Sequence, residues 1–161
     1  VEGPTNSVDQ RIKRLSKELD LLENEYSVLD TEQSNIFWKK TKNLEVFSNT
    51  KKNLIRVVVP VSETLNLLQK LKNVDLSYFL DWGGSLIWLE LNDISIKILN
   101  EIKDITKDHN GYFTIIKVEE DMKASADIFT IDPIKYKISE KIKKSFDPRR
   151  IFNPGKMYTG I

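Results

Sequence analysis

The sequence predicts an α+β protein with a ferredoxin-like core, in which two helices cover one face of a four-stranded antiparallel sheet. Between about residues 54 and 118, segments rich in β-branched and aromatic residues alternate with helix-like segments. Their order is strand, helix, strand, strand, helix, strand, which is the split βαβ order of this fold. Gly83-Gly84 separates the second and third strand-like segments, as expected for a tight two-residue hairpin turn. Additional helices are predicted on both sides of this core.

Composition excludes several classes of site and partner. The 161 residues are 40% hydrophobic, which is enough for one domain with a buried core. The 25 basic and 24 acidic residues leave a net charge of +1, so the chain as a whole shows no preference for nucleic acid. No apolar run reaches the roughly 20 residues of a membrane span. Because there is no cysteine, disulfides, thiolate metal sites and cysteine nucleophiles are excluded.

Residues 1–53 are predicted to form a helical segment that leads into the core. The opening VEGPTNS has no initiator Met and resembles the end of a strand, so we expect another segment to precede it. It also lacks the pattern of a signal peptide, and a cytoplasmic location is expected. Ser7 to Gln10 fit a capping box, which predicts a helix from about Val8.

This helix carries an apolar stripe, and a second helix is predicted after it. The stripe either packs on the protein's own sheet or forms a coiled-coil seam with a partner. Residues 35–40 predict a weak helix, in which Phe37 and Trp38 are expected to be packing residues, unless one of them faces a ligand. The stripe contains Val8, Ile12, Leu15, Leu19 and Leu22.

The first half of the core, residues 54–118, contains a strand, a helix and a hairpin. NLIRVVVP is rich in β-branched residues and ends at Pro60, which is typical of a strand. Ser62 is predicted to cap the next helix. YFLDW and SLIWLEL are predicted to be the two strands of the hairpin. The apolar face of the helix is expected to contain Leu65, Leu68 and Leu71.

The second half of the core is a helix followed by a strand. Asn92 or Asp93 is predicted to cap the helix, and Gly111 is available for a left-handed C-cap after it. YFTIIKV predicts the fourth strand. One side of the helix is expected to contain Ile94, Ile98, Ile102 and Ile105.

Residues 119–161 are predicted to contain a loop, a helix and a tail. The acidic run at 119–121 is interpreted as a solvated loop, and 128–131 as a short apolar segment. Pro133 is expected to begin a helix that ends near Phe146. The isoleucines of this helix recur at one-turn intervals, at Ile134, Ile138 and Ile142.

The tail FDPRRIFNPGKMY, residues 146–158, has a backbone that its own residues restrict. Asp147 and Asn153 each precede a proline, which favours extended conformation, and Gly155 permits a turn. Asn153 and Lys156 are therefore expected to point in defined directions. From the residues alone, the tail is either a packed C-terminal turn or a ligand-contacting one. Its expected apolar anchors are Phe146, Ile151 and Phe152.

Other sequence signals for a site are weak. His109 is the only histidine, has no second imidazole or thiol nearby and is expected to be solvated rather than a metal ligand. No glycine-rich phosphate loop and no nucleophile elbow occurs. Basic residues are interspersed with acidic ones, which argues against an RNA-binding sheet.

The tail resembles the C-terminal signature of the FAD-linked oxidases of the vanillyl-alcohol oxidase type, in which a helix is followed by F-D-P, two variable residues and I-F-N-P-G-K/R. Within that superfamily, DWGGSLIWL at 81–89 resembles the cap domain of the GlcE-type subunits of glycolate oxidase. The opening VEGP is similar to the point where such subunits leave their flavin-binding domain. The resemblance spans the chain but is weak between 20 and 53.

The resemblance implies that this chain is the cap domain of an FAD-dependent 2-hydroxy acid oxidase, with FAD bound mainly by an N-terminal domain. Asn153 would approach the flavin ring as a hydrogen-bonding amide, and Lys156 would place positive charge near it. Trp82 and Trp88 would line the substrate side, although alternation in strands makes a core position equally compatible. No catalytic base can be named, and the fragment alone is expected to be inactive.

The implied substrate is a small 2-hydroxy acid such as glycolate. The implied partners are the FAD domain of the same parent chain, a second flavin subunit and an iron–sulfur subunit, with a location in the cytoplasm or at the inner membrane through those subunits. The alternative is a ferredoxin-like regulatory or dimerisation module that binds no flavin. The proline-fixed tail favours the first interpretation.

Overall fold

The computed structural model describes residues 1, 3–20, 27–47, 53–119, 122, 128–130 and 132–155. The chain divides into two compact units, Val1–Ser48 and Asn49–Ile161. None of the described helices is long and apolar enough to cross a membrane.

The first unit contains two helices, α1 at Thr5–Asp20 and α2 at Thr31–Lys42. The capping box predicted at Ser7 is wrong, because α1 begins two residues earlier and the Ser7 N–H donates to the carbonyl of Pro4. A capping box is present instead on α2. The Asp30 carboxylate accepts the backbone N–H of Gln33 at 2.8 Å, and the Gln33 side chain accepts the Asp30 N–H at 3.1 Å.

The described residues of the first unit include none that is fully buried. Of the predicted stripe, Val8 and Ile12 are half-buried and Leu15 is exposed. Leu22 and the side chain of Leu19 lie outside the described part of the chain. Phe37 and Trp38 are also exposed and contact each other edge to face at 5.4 Å, so their prediction as interior packing residues is wrong.

The second unit has the predicted ferredoxin-like architecture. Four strands form one antiparallel sheet in the order β2-β3-β1-β4. Its strands are β1 (Asn53–Val58), β2 (Leu76–Asp81), β3 (Leu86–Leu91) and β4 (Tyr112–Lys117). Its helices are α3 (Thr64–Lys70), α4 (Ile96–Asp108) and α5 (Pro133–Phe146). The α+β fold class and the predicted end of α5 are thereby confirmed.

The core lies between one face of the sheet and helices α3 and α4. Side chains alternate along β1, so Ile55 and Val57 are buried against this helical layer. The predicted face of α3 is partly wrong, because Leu67 is buried whereas Leu65 is 70% exposed. On α4, the predicted isoleucines do face the core, with Ile102 fully buried.

Three predicted caps differ in the structure. Ser62 lies within a 3₁₀ turn, Val61–Glu63, and no side chain caps α3. Ser95, rather than Asn92 or Asp93, caps α4, because its hydroxyl accepts the Ile98 N–H at 3.2 Å. The left-handed residue after α4 is Asn110, with φ 55°, and not Gly111.

The edge of β4 that does not pair with β1 forms hydrogen bonds with a short segment that follows the core. The Ile115 N–H donates to the Ile128 carbonyl at 2.9 Å, and the Thr130 N–H donates to the Phe113 carbonyl at 3.2 Å. The apolar segment predicted at 128–131 thus extends the sheet where it is described. The chain then enters α5, whose first turn is capped by the Asp132 carboxylate.

Candidate functional site

The C-terminal turn is organised by the carboxylate of Asp147, immediately after α5. Asp147 is only 6% exposed. Its Oδ1 accepts the backbone N–H of Ile151 and its Oδ2 accepts that of Phe152, both at 2.9 Å. Lys143 Nζ lies 2.8 Å from Oδ2 and also donates to the Phe152 carbonyl. One carboxylate and one ammonium therefore fix the chain from the end of α5 to Phe152.

The same contacts determine the charge of Asp147. The hydrogen bond from Lys143 is the largest influence and lowers the pKa of the carboxyl group; burial opposes it, and the N–H groups of Ile151 and Phe152 lower the pKa further. The result is a fall from the ordinary value of 3.8 to about 2. Asp147 is accordingly ionised at neutral pH.

Two residues of this turn have left-handed backbone without being glycine. Arg150 has φ 52° and Asn153 has φ 46°, whereas Gly155 has φ 67°, as a glycine turn predicts. The extended conformation predicted for Asn153 is wrong. Left-handed backbone disfavours most side chains, and such geometry persists where surrounding contacts impose it. Asp147 supplies those contacts for the segment just before Asn153.

The apolar side chains of this region point to solvent. Phe146, Ile151 and Phe152 are 85%, 65% and 68% exposed, so these predicted anchors do not pack against the described residues of this chain. Asn153 is exposed, and Lys156 lies outside the described residues. The isoleucines of α5 are exposed as well, by 69%, 52% and 55% for Ile134, Ile138 and Ile142.

A second feature lies on the face of the sheet opposite α3 and α4, which we call the second face. The strand register aligns one side chain from each of the four strands in a row across the middle of the second face. Arg56 of β1 lies between Trp88 of β3 and Thr114 of β4, and Phe79 of β2 lies beyond Trp88. Arg56, Trp88, Phe79 and Thr114 are all half-buried.

The hairpin loop places Trp82 near this row. The predicted two-residue turn is in fact a four-residue loop, 82–85, in which Trp82, Gly83 and Gly84 have φ of 53°, 65° and 100°. The Arg56 guanidinium lies 5.3 Å from the centroid of the Trp82 ring, within the range of a cation–π contact. Trp82 is 59% exposed and Trp88 half-buried, so neither has the fully buried core position that alternation allowed.

Several hydrogen bonds hold this loop. The Asp81 carboxylate accepts the Trp82 N–H at 2.7 Å, and the Thr64 hydroxyl donates to the Gly84 carbonyl at 2.7 Å. Thr64 is itself buried at the start of α3. A residue at the start of α3, on one face of the sheet, therefore helps to hold the loop that carries Trp82, whose ring contacts Arg56 of the second face.

Sequence reasoning missed Arg56 and Asp147. The signal for Arg56 was present, because it is the only charged residue in the apolar strand NLIRVVVP. The contact with Trp82 joins residues far apart in the chain, so no local spacing predicts it. For Asp147 the sequence shows only that it precedes a proline, because its role as an acceptor depends on the turn that follows.

The remaining predicted candidates form no site in the described residues. His109 is half-buried, and its Nδ1–H donates to the Ile105 carbonyl at 2.9 Å, so it belongs to the end of α4 rather than to solvent. No group of three or more His, Asp or Glu side chains could hold a metal ion within the described ranges. Glu119 is exposed, and the rest of its acidic run lies outside them.

Comparison of the chain with protein-family models, with curated proteins and with solved structures identifies no match.

Proposed function

We propose that this chain is the cap-domain part of an FAD-dependent subunit that oxidises a 2-hydroxy acid such as glycolate to the 2-oxo acid. The observation that carries the proposal is the turn around Asp147 within the FDPRRIFNPG segment. A buried carboxylate uses both oxygens to fix the backbone while the neighbouring apolar side chains remain exposed. Such an arrangement serves a surface that meets another domain better than it serves the interior of this chain.

The exposed side chains of α5 support the same proposal. Ile134, Ile138, Ile142 and Phe146 recur every four residues and are each more than half exposed. Contiguous apolar surface of this kind usually marks an interface. In the proposal, the flavin-binding domain of the parent chain covers this stripe and receives the tail.

The described residues fit a contact with the flavin ring, and they do not fit a site for the pyrophosphate of FAD. The exposed amide of Asn153 offers both a donor and an acceptor, which suits the polar edge of the isoalloxazine. No glycine-rich phosphate loop occurs in the sequence, so the pyrophosphate would be bound by the flavin domain. When bound, FAD would accept the electrons of the substrate.

Within this proposal, the chain's own residues cover the flavin, orient the substrate and exclude water. Lys156 would add positive charge near the ring, and Trp82 would line the substrate side. Electrons would pass to partner subunits, namely a second flavin subunit and an iron–sulfur subunit, in the cytoplasm or at the inner membrane through those partners. The general base is assigned to the flavin domain or to a partner.

The test is the size and flavin content of the native polypeptide. An antibody against the 161-residue chain would be used to isolate the protein from its own cells, followed by intact-mass measurement and a visible absorption spectrum. A polypeptide well above 18.7 kDa with an oxidised-flavin spectrum that glycolate bleaches supports the proposal. An 18.7 kDa polypeptide without flavin contradicts it and favours a free-standing regulatory or dimerisation module.

The role of the tail is tested in the same flavoprotein by Asn153→Ala and Lys156→Met. Arg149→Ala is a matched control, because Arg149 is an exposed residue of the same turn. We expect the first two variants to weaken flavin binding or slow flavin reduction and the control to do neither. Equal behaviour of all three would remove Asn153 and Lys156 from the site.

A further inference from the structure

Arg56 occupies an unusual position for an arginine. It lies in the middle of β1, which pairs with β3 on one side and with β4 on the other. Its neighbours along the strand, Ile55 and Val57, are completely buried, so the strand itself is held firmly by the core. The backbone of Arg56 is therefore held at a fixed position in the sheet, and its charged side chain extends from the second face.

Among the described residues, no carboxylate on the same face forms an ion pair with Arg56. Register places Asp81 and Glu90 on the second face together with Arg56. Asp81 accepts the Trp82 N–H, and Glu90 is 8% exposed and has a contact of its own. Within the described part of the chain, the group that contacts the Arg56 guanidinium is an aromatic ring and not a carboxylate.

Trp82 contributes one wall of a site around this cation. Since β3 lies between β1 and β2, the contact between the Arg56 guanidinium and the Trp82 ring bridges the position of β3. Leu86 of β3 also faces away from α3 and α4 and is only 3% exposed. The left-handed backbone of Trp82 is held at its N–H by the Asp81 carboxylate and at its carbonyl by the Ser85 hydroxyl, so the fold restricts the position of the wall.

We propose that Arg56 binds the carboxylate of a small organic acid, with Trp82 covering one side of the guanidinium and Trp88 and Thr114 flanking it. A guanidinium in contact with an aromatic ring can still donate two parallel hydrogen bonds to a carboxylate. This inference rests on the proposed function and deepens it, because it identifies the group that would recognise the carboxylate of a 2-hydroxy acid.

The test is a tryptophan fluorescence titration of the 161-residue chain with glycolate. The Trp38→Phe background removes the tryptophan of the first unit, so the signal comes from Trp82 and Trp88. Glycolamide, which lacks the charge, is the control ligand. Arg56→Lys keeps the charge but loses the planar fork, and Arg149→Gln is the control for an arginine elsewhere.

We expect saturable quenching by glycolate and not by glycolamide. Arg56→Lys should weaken binding about tenfold, because a bidentate contact becomes a single one, and Arg56→Gln should abolish it. Arg149→Gln should bind as the parent does. Circular dichroism and thermal unfolding of Arg56→Lys verify that the fold is retained. A parent chain that shows no saturable response, or an Arg56→Lys variant that binds unchanged, overturns the inference.

These outcomes are distinguishable from those of the proposed function. Glycolate binding that depends on Arg56, in a native protein that carries no flavin, would preserve this site and remove the oxidase. A flavoprotein that glycolate reduces, with an unchanged KM in the Arg56→Lys variant, would preserve the oxidase and remove this site.

Discussion

Gly111, which follows α4, is a glycine either because a side chain would not fit there or because the backbone conformation requires it. Its φ is not in the left-handed region, but a Cβ at this position would lie 2.5 Å from Val59 Cγ1, 2.7 Å from Thr106 Cγ2 and 2.9 Å from the Thr106 carbonyl oxygen. Carbon atoms in proteins ordinarily approach to about 3.5 Å. Val59 and Thr106 are buried, and the carbonyl oxygen cannot rotate away.

We therefore expect Gly111→Ala to destabilise the protein by about 2 kcal/mol, as in other overpacked cores. For a chain of this length, that loss lowers Tm by about 4–8 °C. Thermal and urea unfolding of the single variant and of the Gly111→Ala/Thr106→Ser pair measure it. Serine removes the Cγ2 methyl group and keeps the hydroxyl that donates to the Ile102 carbonyl at 2.7 Å.

The double variant decides the cause. If crowding is responsible, Gly111→Ala costs about 0.5–1 kcal/mol less in the Thr106→Ser background than in the parent. An equal cost in both backgrounds would place the clash at Val59 Cγ1 or the Thr106 carbonyl oxygen rather than at Thr106 Cγ2, and no cost in either would refute the packing argument. Asn110→Gly is the matched control, since Asn110 is the residue with positive φ and glycine there should be neutral or stabilising.

Three further predictions concern the tail, the core and the hairpin loop. In the folded protein the pKa of Asp147 is about 2, below its ordinary value of 3.8. The carboxylate therefore stabilises the tail above about pH 4, and this contribution is lost as the pH falls from about 4 to about 2. Hydrogen exchange of the tail amides should show this pH dependence, and the Asp147→Asn variant should not. Leu89→Ala should cost about 2–5 kcal/mol in urea unfolding, whereas Leu65→Ala, at an exposed position, should change stability by less than about 0.5 kcal/mol; similar losses would contradict the observed face of α3. Thr64→Val should cost about 1 kcal/mol by removing the hydrogen bond to the Gly84 carbonyl, and it should also shift the fluorescence of the loop tryptophan; an unchanged spectrum and stability would show that this bond does not hold the loop.

The order of the elements in the second unit was predictable because its signals are local. β-branched residues at 53–60 and 112–118 and the isoleucine spacing of α4 each depend on a few neighbouring residues. Helix caps were less predictable, since Asn92, Asp93 and Ser95 can all accept a backbone N–H. The point where β3 ends determines which of these residues caps α4, and that point depends on strand pairing in the sheet.

The candidate sites were less predictable than the fold, because long-range contacts define them. The rule that a residue before proline is extended fails at Asn153, where the turn held by Asp147 determines the backbone. Helical periodicity identified the isoleucines of α5 but could not show that they face solvent. The contact between Arg56 and Trp82 required the strand order and the loop geometry together.

The position of β1 in the sheet has a consequence for synthesis on the ribosome. β1 is an interior strand, yet both of its partners follow it in the chain, and β4 begins only at Tyr112. After Val58, residues 59–111 must be added before β4 starts. At a synthesis rate of roughly 5–20 residues per second, the edge of β1 that pairs with β4 stays unpaired for about 3–11 s. During that interval Ile55 and Val57, which are fully buried in the folded protein, lack part of the apolar layer that covers them.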